Sequence, residues 1–165
     1  MFCAHSPVKS RYGVRACAAP IGSSSEGVGA SLLGQDVITI EEARRLPPTT
    51  LAYLGDAVLE LYVRERLVCG KGARAGVLHK KAVSKVKAAA QAEALHRILD
   101  NLTTEEHDIV RRGRNAKTGG RRAADAADYH YSTAFEALLG YLYLTGRQER
   151  LVQLIESAYA ELAGH

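Results

Sequence analysis

From Pro48 onward, apolar residues recur every three or four positions, in segments bounded by proline, by glycine or by serine and threonine. That spacing lines one face of an α-helix. Nowhere do β-branched residues alternate over the length of a strand, so the chain is expected to be all-α. Leu51, Leu54, Val58, Leu61, Glu65 and Val68 define a core-facing stripe, with Thr49 or Thr50 as its cap and Gly70 and Gly72 as its stop. Before it, Thr39 and Glu42 have capping-box spacing for a short helix that Pro47-Pro48 ends. A third helix is expected from about Gly76 through Val83, Val86 and Ala90 to Ile98. Thr103 to Glu106 forms another capping box, opening a helix through Ile109 and Val110. Residues 113–128 read as irregular. Ser132 or Thr133 then caps an apolar helix from Ala134 to Leu144, closed by Gly146, and a last helix carries Leu151, Leu154, Ile155, Ala158 and Leu162.

The 165 residues suffice for one domain without disulfides or structural metal. Apolar residues make up 47% and charged residues 24%, which excludes a wholly disordered or collagen-like chain. No run of about 18 apolar residues is present to span a membrane. Cys3, Cys17 and Cys69 form no C-x-x-C pair and imply neither a zinc ribbon nor a disulfide framework. The first 25 residues contain no acid, but they do contain Lys9, Arg11 and Arg15, with serines at 23–25. An Arg-containing, Ser-rich, acid-poor start matches an organelle transit peptide, so residues 1–34 are set apart, with a plastid favoured over a mitochondrion or the cytoplasm. Residues 35–165 form the expected folded domain.

Two acidic positions interrupt apolar helices. Asp56 and Glu60 lie four apart, about 40° around one helix, and Gly55 beside them suggests close approach by another chain or a ligand. Glu136 sits within Ala134-Phe-Glu-Ala-Leu-Leu-Gly-Tyr-Leu. An ionised carboxylate inside an apolar segment needs a partner or a metal, and carboxylates from two helices can converge on Mg²⁺. Two plainer readings stay open: Asp56 and Glu60 as the solvent edge of a helix, and Glu136 as the far end of a capping box with Thr133. Positive charge is clustered as well. From Arg66 to Gln91 no acid accompanies Arg66, Lys71, Arg74, Lys80, Lys81, Lys85 and Lys87. From Val110 to Ala124 no acid accompanies Arg111, Arg112, Arg114, Lys117, Arg121 and Arg122. Cations this dense repel one another unless a polyanion binds them, and without interleaved aromatics a duplex backbone is the expected target.

Leu51-Ala-Tyr-Leu-Gly-Asp-Ala-Val-Leu-Glu-Leu resembles the signature helix of the ribonuclease III catalytic domain. His79-Lys-Lys-Ala-Val with Ala88-Ala-Ala-Gln-Ala, Arg112-Gly-Arg-Asn-Ala-Lys117 and Tyr131-Ser-Thr-Ala-Phe-Glu-Ala-Leu-Leu-Gly together narrow the resemblance to Mini-ribonuclease III. This is the short branch without a double-stranded-RNA-binding domain. The resemblance runs from about Pro48 to Leu162, and the length agrees with the short form.

It implies a helical, homodimeric, Mg²⁺-dependent hydrolase of double-stranded RNA, with Mn²⁺ a possible substitute and precursors of large-subunit (23S-type) ribosomal RNA the usual substrate. Residues 35–165 would be its catalytic domain. Asp56 and Glu136 would be the metal-binding catalytic carboxylates, with Glu60 in support behind them. Arg112, Arg114, Asn115 and Lys117 would fall on an RNA-contacting basic loop, alongside Lys80 and Lys81. The wider family has further acids where this chain has Thr49, Ala52 and Thr133. The competing expectation is a protein of the same fold that binds structured RNA or a ribosome without cutting. A DNA-binding module is a weaker one, since no helix-turn-helix is recognisable.

Overall fold

The computed structural model describes residues 37–70, 74–116 and 123–160, and these are helical with short connections. Helix α1 spans Ile40–Arg45, α2 Pro48–Cys69, α3 Ala75–Val86, α4 Ala88–Ile98, α5 Thr104–Arg114, α6 Ala123–Leu144 and α7 Gln148–Ala158, with a 3₁₀ turn at Leu99–Asn101. Among the described residues no helix is long and apolar enough to cross a membrane. The expected positions 1–34, Lys71, Gly72, Lys117, Gly119, Gly120, Arg121, Arg122 and Leu162 lie outside the described residues.

Helix α6 is the hub, and α2, α4 and α5 all pack on it. From Ser132 to Tyr143 it is buried on nearly every side, with Ala134, Phe135, Ala137, Leu138, Leu139 and Leu142 among the buried residues. Glycines permit two of these contacts. A Cβ at Gly55 would lie 1.8 Å from the Glu136 carbonyl oxygen, and one at Gly140 would lie 2.0 Å from that of Leu51. Two backbones therefore touch where α2 crosses α6. Gly113 does the same for α5, since its Cβ would be 2.7 Å from the Ala134 Cα. The close approach expected at Gly55 is made by a helix of the same chain.

Both early capping boxes form: Thr39 with Glu42, and Thr103 with Glu106. Four other expectations are corrected. Helix α2 starts at Pro48 with Pro47 at its cap position, so Thr49 and Thr50 lie within its first turn. Proline fits there because its missing N–H would have had no helical partner. The buried face of α2 is Leu51, Ala52, Gly55, Leu59 and Val63. Leu61 and Val68 remain 43% and 65% exposed. Apolar residues occupy two faces of this helix, and only one meets α6. The helix expected from Gly76 to Ile98 is two helices, because Lys87 is extended (φ −67°, ψ 149°) and caps the second. The Gln91 side chain donates to the Val86 carbonyl at 2.9 Å, satisfying a group that the break leaves open.

The fourth correction concerns residues 113–128. Helix α5 runs on to Arg114 and α6 already begins at Ala123. Ser132 and Thr133 are therefore buried inside α6 and cap nothing; the Ser132 hydroxyl donates to the Tyr129 carbonyl. Gly146 does close α6, at φ +71°.

Ion pairs secure the end of the hub. Glu106 is almost fully buried, and Arg150 donates to its two oxygens at 2.9 Å each. Burial pushes the Glu106 carboxyl up, but hydrogen bonds from Arg150 and Thr103 together outweigh it and hold it below the usual carboxylate range. Its contribution to stability is thus present above about pH 4.5 and is lost as pH falls through the lowered value. Glu105 pairs with Arg147 at 3.1 Å and also accepts from the Tyr141 hydroxyl. On the opposite flank, Arg66 pairs with Glu156 at 2.8 Å, tying α2 to α7.

Candidate active site

Asp56 and Glu136 come together where α2 crosses α6. They line one open cavity of about 270 Å³ with Thr49, Ala52, Tyr53, Tyr129 and Thr133. The backbone contact at Gly55 explains the meeting, because Asp56 follows the glycine that rests on the Glu136 carbonyl. The positions that carry further acids in the wider family, 49, 52 and 133, line this same cavity. Here they hold two threonines and an alanine, so the cavity has two carboxylates. Among the described residues no group of three His, Cys, Asp or Glu side chains could hold a metal.

The charge of Asp56 bears on Glu136. Burial first, and then the charge of Asp56, push the Glu136 carboxyl up to about 7, against a hydrogen bond from Gln91. Asp56 stands at the mouth; partial desolvation, then the charge of Glu60, raise its pKa. Since Thr133 lies mid-helix, the capping reading of Glu136 fails. What stays is a pair of acids that resist ionising together, the condition a divalent cation relieves. Two carboxylates with room beside them suit Mg²⁺ or Mn²⁺, whose remaining positions water or phosphate oxygens can fill.

Glu60 lies one turn along α2 and does not line the cavity. It pairs with Arg64 at 3.2 Å, and both side chains are about half exposed. Lys80 and Lys81 are exposed on α3, and Arg114 and Asn115 are exposed at the end of α5, where the Asn115 N–H donates to the Arg111 carbonyl. Arg112 is different. Its guanidinium donates to the Leu46 carbonyl at 2.9 Å, at the end of α1, so it has a structural task within the chain. The basic segment also begins as helix, and Arg111 is paired with Asp108.

Sequence reasoning gave Gln91 no role of its own, quoting it only within Ala88-Ala-Ala-Gln-Ala. Its burial was the missing information; the only available signal was an amide in an otherwise apolar run.

A family model described as the ribonuclease III domain matches residues 49–147. The seven helices of the described residues, around an α2–α6 crossing that bears two carboxylates, thus constitute a ribonuclease III-type helical endonuclease domain. The chain is 54% identical over 114 residues to a Mini-ribonuclease 3 from Symbiobacterium thermophilum, covering 68% of this chain and 88% of that one. It is 48% identical over 122 residues to a Mini-ribonuclease 3 from a Thermoanaerobacter species, covering 73% and 86%. A crystal structure of a Fusobacterium nucleatum protein superposes with a TM-score of 0.64 at 30% identity, over 72% of this chain and 95% of the other. The chain belongs to the Mini-ribonuclease III family.

Proposed function

We propose that this protein is a Mg²⁺-dependent endoribonuclease that cleaves double-stranded RNA. The observation that carries this reading is the convergence of Asp56 and Glu136 in one solvent-open cavity. A bound Mg²⁺, or Mn²⁺ in its place, would supply Lewis acidity at the scissile phosphate. Asp56 and Glu136 would hold the cation from two helices. Lys80, Lys81 and Arg114 would grip backbone phosphates on either side, and Asn115 would add a polar contact. Water attacks phosphorus, the bond to the 3′ oxygen breaks, and the products carry 5′-phosphate and 3′-hydroxyl ends. A-form RNA presents its phosphates and 2′-hydroxyls across a shallow groove, so shape rather than sequence should govern binding.

One chain contributes one carboxylate pair, and a duplex has two strands, which supports a homodimer. The face for it is the second apolar side of α2. Leu54, Val58 and Leu61 line an open groove of about 430 Å³ with Leu151, Val152 and Ile155 of α7. Leu61 is 43% exposed beside the partly buried Leu54 and Val58, and exposed apolar surface can mark association. The substrate we infer is a precursor of large-subunit ribosomal RNA. Residues 1–34 are the proposed targeting segment, and a plastid the proposed site of action, on their acid-poor, Ser- and Arg-containing composition.

The test is a labelled RNA duplex incubated with the purified protein in Mg²⁺, in Mn²⁺ and in chelator. Cleavage in either metal and none in chelator is expected. A duplex retained but left intact in both metals would replace the enzyme by a binding protein.

The basic residues make a separate prediction. In chelator, the variant Lys80→Ala/Lys81→Ala/Arg114→Ala should bind duplexes of different sequence more weakly to a similar degree. Each lost phosphate contact should flatten the slope of log K against log salt by roughly 0.9, taking B-DNA as guide, or by about two to three in all. Arg112 is left in place because it holds Leu46. A titration at several salt concentrations reads the slope; an unchanged slope would remove these three from the interface.

A further inference from the structure

Arg45 lies outside both acid-free basic runs, and no step above uses it. It is the last residue of α1 and is exposed. Among the described residues its side chain has no hydrogen-bond or ion-pair partner. The ordinary role of an arginine in the last turn of a helix is to meet that helix's own free carbonyls. Here the next carbonyl, on Leu46, is already taken by the Arg112 guanidinium of α5 at 2.9 Å.

That same bond decides where Arg45 stands. It seats the end of α1 against the last turn of α5, although the bonded residues are 66 positions apart. Just beyond Leu46, Thr49 lines the carboxylate cavity. On the other element, Gly113 rests on the backbone of α6, where its Cβ would be 2.7 Å from the Ala134 Cα, and the neighbouring Thr133 lines the same cavity. Arg45 on α1 and Arg114 on α5 therefore flank one junction, and that junction borders the cavity. Both side chains are exposed, and no carboxylate of the described residues pairs with either. Two unpaired guanidinium groups beside an acidic cavity are left for an anion that extends past the acids. Their planar forks match phosphate oxygens.

We propose that Arg45 is an RNA-binding residue, which with Arg114 grips backbone phosphates of the strand that enters the carboxylate cavity. This deepens the double-stranded-RNA reading and rests on it for the identity of the ligand. Arg112 has the supporting part: it fixes the end of α1 rather than touching RNA. Phosphate contacts set the register of a strand without reading its bases. Arg45 thus holds the substrate and leaves the chemical step to the carboxylates.

The experiment compares the full chain with Arg45→Ala, with Arg45→Lys, and with Arg64→Ala as a control for lost charge. Arg64 pairs with Glu60 on α2 and does not line the cavity. A labelled RNA duplex is titrated in chelator at several salt concentrations, KM and kcat are measured in Mg²⁺, and each protein is melted. Arg45→Ala should flatten the slope of log K against log salt by roughly 0.9, taking B-DNA as guide. It should also raise KM severalfold with kcat nearly unchanged, and melt with the parent. Arg45→Lys and Arg64→Ala should keep the parental slope. A parental slope in Arg45→Ala would overturn the proposal, and a lowered melting temperature beside it would assign Arg45 to the stability of α1. Equal flattening in Arg64→Ala would overturn it too, since net charge rather than a contact would then be the cause. If the parent protein binds the duplex without cutting it, the enzyme reading fails, and the slope still decides the role of Arg45. A parent that binds no duplex would refute both.

Discussion

Asp56→Asn and Glu136→Gln should each lower duplex cleavage by about 10³-fold or more while leaving helix content and duplex binding in place. Both amides keep the shape of the side chain and remove charge that would hold the cation. A catalytic metal supplies several kcal/mol of transition-state stabilisation, and each 1.4 kcal/mol is about tenfold in rate. Single-turnover assays with saturating enzyme would measure the loss, and wild-type turnover in either variant would remove that residue from the site. The same Glu136→Gln change should stabilise the metal-free protein above neutral pH. A carboxyl raised to about 7 favours folding while protonated and opposes it as pH climbs from 4.5 through 7. Discounted for the openness of the cavity, the gain at pH 8 is about 1–2 kcal/mol. Thermal melts of both proteins at pH 5 and pH 8, in chelator, should show the difference at the higher pH only.

The other large effect is on folding. Gly→Ala within a helix ordinarily gains up to about 1 kcal/mol. At Gly55 and Gly140 the sign should reverse, with a loss beyond about 4 kcal/mol, because the added methyl would land 1.8 or 2.0 Å from a backbone oxygen of the facing helix. A typical domain has about 5–15 kcal/mol in total, so either variant should be largely unfolded or separated at the α2–α6 contact. Gly76→Ala is the control, since a methyl there meets nothing within 4 Å. Urea midpoints would rank the three, and near-native midpoints for Gly55→Ala would show that the helices can part without penalty.

These glycines show how the sequence could be read and where it could not. The positions of Asp56 and Glu136 were legible as acids in apolar helices, and the helical class followed from periodicity. Which apolar face of α2 was internal was not, because Leu54, Val58 and Leu61 form as regular a stripe as Leu51, Gly55 and Leu59. Hydrophobic spacing reports a buried face without saying what buries it. The division of α3 from α4 has no glycine or proline to announce it; the break is held by a side chain reaching back from Gln91. Thr133 and Glu136 have the spacing of a capping box by coincidence, and only the earlier start of α6 at Ala123 shows that no helix end is there. Arg112 looked like one of several equivalent cations, since a backbone carbonyl 66 positions away leaves no trace in composition.

The anchoring of α1 has a consequence for how anything attached ahead of it can move. The Ile38 N–H donates to the Leu144 carbonyl at 3.0 Å, and Val37 packs over Gly146, while Arg112 holds the other end of α1 at Leu46. Leu144 lies eight residues beyond Glu136 on α6, about 12 Å along the axis at 1.5 Å per residue. The polypeptide thus joins the body two turns from the carboxylate pair, clamped on both sides of the entry. A reporter joined directly to Val37 would therefore start about 12 Å from the acids along α6, a span that about four extended residues cover.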